Sequence, residues 1–275
     1  MRLYSLFLLC SMPFSLVAQQ NQFADPIAEI QLENLDLVSF DTKDQLFVSS
    51  TSGDIYQFDR SGKRINLYSP ERQGRLNQLE AAWTVNIFSF SSDLQEYRIL
   101  DRFLNPLVEN GFLLADINLA KAASLGNNNI VWVWDESDLS LKSLDYLRNT
   151  IVQSQPLNLI LSSDDLEVLE IREFKNRLFM NIPNEGIYIF DNQGNLIQKI
   201  AVKGILKLCY YNEHLLWIDG ASLMAISIST QEILNLAQLD NSEATYLQIG
   251  QDRVALVQND KVLLYDTPIW IKNLR

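Results

Sequence analysis

The chain has 275 residues, and 47% of them are hydrophobic, which is enough to bury a substantial core. It carries 34 Asp and Glu against 22 Lys and Arg, which gives a net charge of −12 at pH 7 without any run of basic residues. Nucleic-acid binding requires clustered positive charge, so a nucleic-acid partner is not expected.

Residues 1–18 have the layout of a secretory signal peptide that is cleaved on export. Arg2 precedes an apolar run too short to span a bilayer, and Ala18 precedes a pair of glutamines. A lipid anchor at Cys10 and an uncleaved anchor are the alternatives, but the small residues expected before a lipid-modified cysteine are missing. The mature chain is therefore expected to be periplasmic or secreted, with no transmembrane segment after cleavage.

The central part of the chain repeats itself. LFVSSTSGDIYQFDRSGKRI at 46–65 recurs without a gap as LFMNIPNEGIYIFDNQGNLI at 178–197, and eight of the positions are identical. More diverged copies lie between and after these two. An apolar strand opens near the same point of each copy, at Leu46, Ile87, Ile130, Leu178, Leu215 and Val254. Spacings of roughly 40 residues are typical of β-propeller blades.

Each copy predicts four short strands, rich in β-branched and aromatic residues and separated by turns of Asp, Asn, Ser and Gly. We therefore predict an all-β fold, a six-bladed β-propeller that forms a single domain over residues 19–275. Two packed sheets are the alternative. LNQLEAAW (76–83) and LLADINLAKAASL (113–125) each have enough helix-forming residues for one or two helical turns.

The two ends of the chain offer two ways to close such a ring. IAEIQL at Ile27–Leu32 resembles LIQKIA at 196–201, which is the predicted last strand of a blade. We predict that this N-terminal stretch is the outer strand of blade six, which would remove an unpaired edge. In the alternative, PIWIKNLR at the C-terminus supplies that strand.

Acidic residues recur in the predicted turns between the second and third strands of the blades. In a propeller these turns share one face with the connections between blades. A ring of carboxylates there would suit calcium or a cationic partner, although Asp also favours tight turns for backbone reasons. The candidate binding residues are Asp54, Asp93, Asp135, Glu136, Asp138, Glu185, Asp219 and Asp260.

Long connections follow the first three blades, at 69–83, 108–129 and 155–168. Long loops on one side of a rigid scaffold are common binding surfaces. The same face that carries the acidic turns is therefore the predicted interaction surface.

Histidine and cysteine, on which many catalytic sites depend, are scarce in this chain. The one histidine, His214, is placed in a turn and expected to be solvated, and Cys209 is expected to be a small buried residue of an inner strand. Trp132 and Trp134 alternate along one strand and are predicted to be core residues. No catalytic residue is predicted, and no cofactor is predicted beyond the calcium that the acidic turns would suit.

SSDLQEYRILDRFLNP (91–106), GIYIFDNQGNLI (186–197) and a signal ending in AQ resemble segments of uncharacterised secreted propeller-like proteins of Bacteroidetes-type bacteria. The resemblance implies an exported six-bladed propeller and carries over no catalytic residue.

Three functions are compatible with this sequence. The first is a non-enzymatic module of the cell envelope that binds a protein partner or a ligand. The second is a propeller enzyme, similar to calcium-dependent lactonases or quinoproteins, that uses an acidic channel mouth; this is an analogy at the level of the fold. The third is a structural scaffold within an envelope assembly.

Overall fold

The computed structural model describes residues 21–81, 85–161, 166–239 and 243–274. Within these ranges, 24 strands form six antiparallel sheets of four strands each. The chain is therefore an all-β, six-bladed β-propeller, as predicted. The proposed signal peptide, residues 1–18, lies outside the described residues.

The first half of the chain forms the N-terminal strand and three blades. The N-terminal strand is β1 (Ala28–Gln31). Blade one contains β2 (Leu35–Phe40), β3 (Leu46–Ser50), β4 (Ile55–Phe58) and β5 (Arg64–Tyr68). Blade two contains β6 (Gln78–Glu80), β7 (Ile87–Ser91), β8 (Glu96–Leu100) and β9 (Pro106–Gly111). Blade three contains β10 (Ala120–Leu125), β11 (Ile130–Asp135), β12 (Ser140–Asp145) and β13 (Thr150–Pro156).

The second half forms the remaining blades and a short helix. Blade four contains β14 (Glu170–Phe174), β15 (Arg177–Ile182), β16 (Gly186–Phe190) and β17 (Leu196–Ile200). Blade five contains β18 (Cys209–Tyr211), β19 (His214–Asp219), β20 (Ser222–Ser227) and β21 (Ile233–Gln238). Blade six contains β22 (Ala244–Ile249), β23 (Arg253–Gln258) and β24 (Lys261–Asp266). The helix is α1 (Ile269–Lys272). The second strands begin within one residue of the starts taken from the repeat.

The core lies between the blades, because both faces of each sheet pack against neighbouring sheets. Trp132 and Trp134 of β11 are buried together with Ile171 and Met180 of blade four. The prediction that both tryptophans are core residues is confirmed. The outer strand β13, by contrast, alternates exposed and half-buried positions, because the outer edge of the sheet faces solvent.

The N-terminal strand β1 is hydrogen-bonded to β24 as the outermost strand of the sixth sheet, with Ala28 opposite Leu264 and Ile30 opposite Val262. Ile30 is buried in the cluster between blades six and one. The C-terminal segment forms the single helical turn α1 rather than a strand.

Every blade runs from an inner first strand to an outer fourth strand, and this topology gives the ring two distinct faces. We call the face that carries the turns between second and third strands, and the connections between blades, the loop face. The opposite face, which carries the turns after the first and third strands, is the hairpin face. Its turns include left-handed pairs such as Lys175–Asn176 and Asn212–Glu213, which suit two-residue hairpins.

The two helical expectations are resolved differently. In the stretch at 76–83, Gln78–Glu80 form the inner strand β6, so the helix predicted for this part is wrong. Residues 82 and 83 of the stretch lie outside the described residues. In the stretch at 113–125, helix formation is limited to one 3-10 turn, Phe112–Ala115, after which the chain enters β10.

Candidate functional site

The predicted acidic residues lie at or beside the turns between second and third strands, on the loop face. Two of them come together: Asp135 and Asp138 both contact Nζ of Lys142, at 2.6 and 2.7 Å. Asp135 is fully buried and also accepts the backbone N–H groups of Asn118 and Leu119. Burial alone would raise the pKa of Asp135, but the hydrogen bonds from Lys142 and other donors outweigh it and leave this pKa lowered.

Other members of the acidic set have partners within their own blade region. Asp54 accepts hydrogen bonds from the hydroxyls of Ser52 and Ser69. Glu136 pairs with Lys121 at 3.4 Å, whereas Asp93, Asp219 and Asp260 are exposed.

Glu185 shows the same local pairing, with the Tyr188 hydroxyl and with Lys199 at 3.1 Å. Among the described residues, no group of three or more His, Cys, Asp or Glu is placed to hold a metal ion. Calcium binding by the acidic turns stays a prediction.

Neither His214 nor Cys209 is placed to act as a nucleophile or an exposed base. The expectation of a solvated His214 is wrong, because it is the first residue of β19, is buried, and places Nδ1 2.7 Å from the carbonyl oxygen of Asn212. Cys209 is buried on β18, as predicted, and burial raises the pKa of its thiol to about 12. The thiol is therefore protonated at neutral pH.

The inner strands bring together a buried polar group that the repeat pattern does not reveal. We call it the axial cluster, and it comprises Gln78, Glu80, Ser124, Glu170, Arg172 and Gln248. First strands contact each other at the junctions of blades one and two, two and three, three and four, five and six, and six and one. Two bonds of the cluster also join blades that are not neighbours: Gln78 donates to the carbonyl of Ile171 at 3.4 Å, and Arg172 Nη1 donates to Gln248 Oε1 at 3.2 Å.

Glu80 is the most strongly perturbed carboxyl of the axial cluster. It accepts hydrogen bonds from the Gln78 amide, the Ser124 hydroxyl and the Leu125 backbone N–H. Burial raises its pKa to about 7, although the charge of Arg172 and these hydrogen bonds oppose the shift. Glu80 can therefore gain or lose a proton near neutral pH.

The sequence contains a signal for the axial cluster, although the repeat does not emphasise it. Charged residues interrupt the inner strands QLE and EIREF, where a strand covered on both faces usually reads as continuously apolar. Because the members lie in different copies, only the closed ring shows that they meet.

Two cavities have a buried arginine in their wall. One, of about 430 Å³, lies between blades one and two and is lined by residues that include Arg72, Glu96 and Arg98. These groups pair with each other, since Glu96 contacts both arginines. The other, of about 250 Å³, lies on the hairpin face above Arg172 of the axial cluster.

On the loop face, the connection between blades two and three presents leucines to solvent. Phe112 and Ile117 are fully buried and anchor the connection, with Phe112 packed on Tyr97 and Phe90. Leu113 and Leu114 of the 3-10 turn are 62% and 74% exposed. The backbone is thus fixed by its buried residues while two neighbouring apolar side chains face outward. Leu159, in the next connection, is 94% exposed.

The fold and these features define a six-bladed β-propeller with a loop face rich in exposed leucine and a buried polar axis. Many solved structures are similar to it, among them the following three. The Pan2 WD40 domain of Neurospora crassa has a TM-score of 0.58 at 12% identity, over 90% of this chain and 88% of that one. The Cps50 (Swd1) β-propeller domain of Myceliophteria thermophila has a TM-score of 0.62 at 10% identity, over 89% and 99%.

The third is a chain of a mitotic checkpoint complex, with a TM-score of 0.59 at 9% identity, over 97% of this chain and 99% of that one. Likeness at these identities establishes the propeller fold alone. No family model and no curated protein matches the sequence. Within the described residues, no helix is long and apolar enough to cross a membrane.

Proposed function

We propose that this protein is an exported, non-enzymatic interaction module of the cell envelope, and that its loop face binds a protein partner. The observation that carries the proposal is the leucine pair Leu113 and Leu114, which is held outward by the buried Phe112 and Ile117. Neighbouring apolar side chains on a backbone that is already ordered lose little conformational entropy when a partner covers them.

Two further points support this function. One of the similar solved chains is part of a protein complex, the mitotic checkpoint complex, so this fold serves as a module in protein assemblies. Export is supported by the N-terminal sequence, in which Arg2, a short apolar run and Ala18 follow the order of a signal peptide.

The partner-binding proposal is tested by changing Leu113→Ser and Leu114→Ser together. The variant should lose envelope partners that the wild-type protein captures, because the apolar contact is removed while the buried anchors remain. Leu147→Ser is the matched control, since Leu147 is 66% exposed on the hairpin face. Melting temperatures should be equal for all three proteins. An unchanged set of captured partners in the double variant would contradict the proposal.

The export proposal has its own test. Fractionation of the native host followed by N-terminal sequencing should place the protein outside the cytoplasm, with Gln19 as its first residue. Full-length protein in the cytoplasmic fraction would contradict export and leave the partner experiment unaffected.

A further inference from the structure

Arg98, the buried cation in the wall of the cavity of about 430 Å³, pairs with Glu96 at 3.3 Å. The cavity of about 250 Å³ on the hairpin face also has a buried cation in its wall, but with no carboxylate of the described residues within hydrogen-bonding distance of that cation. The ends of the inner strands of blades one, four, five and six surround it, so it lies at the mouth of the central channel. Aromatic side chains form much of the wall, among them Phe40, Phe174 and Tyr211. The cation is Arg172, whose side chain is 5% exposed.

Within the described residues, the protein uses one nitrogen of the Arg172 guanidinium. Nη1 donates to the carbonyl of Leu208 at 3.1 Å and to Oε1 of Gln248 at 3.2 Å. Nε and Nη2 make no hydrogen bond to any residue in the described part of the chain. The guanidinium carbon lies 5.1 Å from the centroid of the Phe174 ring. The side chain is thus held in place, while the edge that binds a carboxylate through two parallel hydrogen bonds is unused.

The neighbouring charges do not occupy that edge. Oε1 of Glu170 lies 3.9 Å from Nη1, longer than a hydrogen bond, so Glu170 offsets the charge of Arg172 without blocking Nε and Nη2. Lys175 pairs with Glu213 at 3.2 Å. Asp41 uses Oδ1 to accept the backbone N–H groups of its own turn.

We propose that this cavity binds a small organic carboxylate, held by Nε and Nη2 of Arg172, with an apolar or aromatic body against the ring-lined wall. Neither unused nitrogen of Arg172 is among the fully buried polar atoms without a partner in the described residues, so both can be reached from the cavity. A bidentate carboxylate satisfies both donors at once. The volume suits a ligand of about ten non-hydrogen atoms, smaller than the usual drug-sized occupant. This site is independent of the loop face and of its partner.

The test is a titration of the full mature protein with phenylacetate, followed by calorimetry and by the ¹⁵N signal of Arg172 Nε. We expect binding with a dissociation constant of roughly 1 mM, the scale set by ligand efficiency for ten atoms. Phenylacetamide, which has the same shape without the charge, should bind at least tenfold more weakly. Inorganic phosphate should also bind more weakly, because it has no apolar body. Equal binding of the acid and the amide, or tighter binding of phosphate, would overturn the proposal.

Two variants separate the site from the fold. Arg172→Lys keeps the charge beside Glu170 but lacks the two parallel N–H donors of the guanidinium, so the affinity for phenylacetate should fall at least tenfold. Gln251→Trp fills the mouth from an exposed position and should block binding with an unchanged melting temperature. Gln193→Trp, in an exposed turn of blade four, is the matched control and should bind normally. If Arg172→Lys does not fold, the Gln251→Trp result decides, and normal binding by that variant would overturn the site.

Discussion

Glu80 is the residue at which burial and ionisation conflict most strongly. Its pKa of about 7 exceeds the value of 4.5 for an unperturbed Glu because burial disfavours the charged form. The folded state therefore binds the proton more tightly than the unfolded state. It follows that Glu80 stabilises the fold less as the pH rises from 4.5 to 7, and that the loss is complete above pH 7.

We predict that Glu80→Gln removes this dependence. In the wild-type protein, titration of Glu80 should lower the unfolding free energy by on the order of 3 kcal/mol between pH 5 and pH 8. The variant should lack this decrease. The oxygen of the new amide can take the place of Glu80 Oε1 and accept from Gln78 as before, and the Ser124 hydroxyl can turn to accept from the new NH₂ group. Urea unfolding at several pH values measures the difference.

The control for this experiment is Glu167→Gln, because Glu167 is exposed. Its stability should follow the wild-type pH dependence. The idea of a titrating axial carboxyl is abandoned if Glu80→Gln and wild type have the same slope between pH 5 and pH 8.

Single residues were predictable where the strand pattern alone decides their surroundings. Trp132, Trp134 and Cys209 lie on strands covered from both sides, so burial follows from the apolar run. The burial of His214 was not predictable, because it depends on the length of the turn that precedes the strand. Asn212–Glu213 form the whole two-residue turn, with φ of 45° and 59°, so that the next residue already belongs to β19.

At the scale of the elements, the turn between β18 and β19 links blade five to blade four through Glu213. Its carboxylate contacts Arg177 and the Tyr210 hydroxyl and lies 3.2 Å from Lys175. Desolvation opposes ionisation, but the Tyr210 hydrogen bond and the two cations outweigh it and lower the pKa of Glu213 to about 2. The stabilisation from this ion pair is present above pH 4.5 and is lost as the pH falls through 2.

Glu213→Gln should therefore destabilise the protein at pH 7 and have little effect near pH 2. Glu213 is about half exposed, so solvent screens the pairs and the change in melting temperature should be a few degrees at most. Thermal melts at pH 7, 4 and 2 measure it, with Glu232→Gln as the control on an exposed site of the same blade. A variant that is equally destabilised at all three pH values would show a packing effect instead.

The elements themselves were predictable to the extent that local pattern and tertiary context agree. Strand β11 and its turn follow directly from IVWVWD and the acidic residues after it. The strand β6 was misread because QLE has good helix formers, yet its backbone pairs with β7 and its side chains enter the axial cluster. Tertiary pairing overrode local propensity there.

At the scale of the whole molecule, the repeat predicted the ring but could not predict what meets at its centre. Hydrogen bonds of the axial cluster join Gln78 to Ile171 and Arg172 to Gln248. The two residues of each pair lie in different copies of the repeat, in blades that are not neighbours. No period in the sequence relates them. The channel-mouth cavity was missed for the same reason, and it lies on the face opposite the predicted interaction surface.

The junction between blades six and one holds the ring together through two kinds of contact. Side chains contribute one kind, since Tyr246 donates to the carbonyl of Asp36 at 2.8 Å and Asp44 accepts the backbone N–H of Gln251 at 2.6 Å. Strand β1 contributes the other, because it pairs with β24 within blade six and then continues along the chain into β2 of blade one. Ile30 is the buried residue of β1 in the apolar cluster at this junction.

We predict that Ile30→Ala lowers the unfolding free energy by about 2 to 5 kcal/mol, the range for truncating a buried isoleucine. Amide exchange in β24 should speed up, because a loosened β1 exposes the β24 edge that it now covers. Gln31→Ala is the matched control, since Gln31 is exposed on the same strand, whereas Glu29 pairs with Lys261 of β24 at 3.2 Å. If Ile30→Ala unfolds like Gln31→Ala and β24 stays protected, β1 is a passive addition to a ring that the side-chain contacts already close.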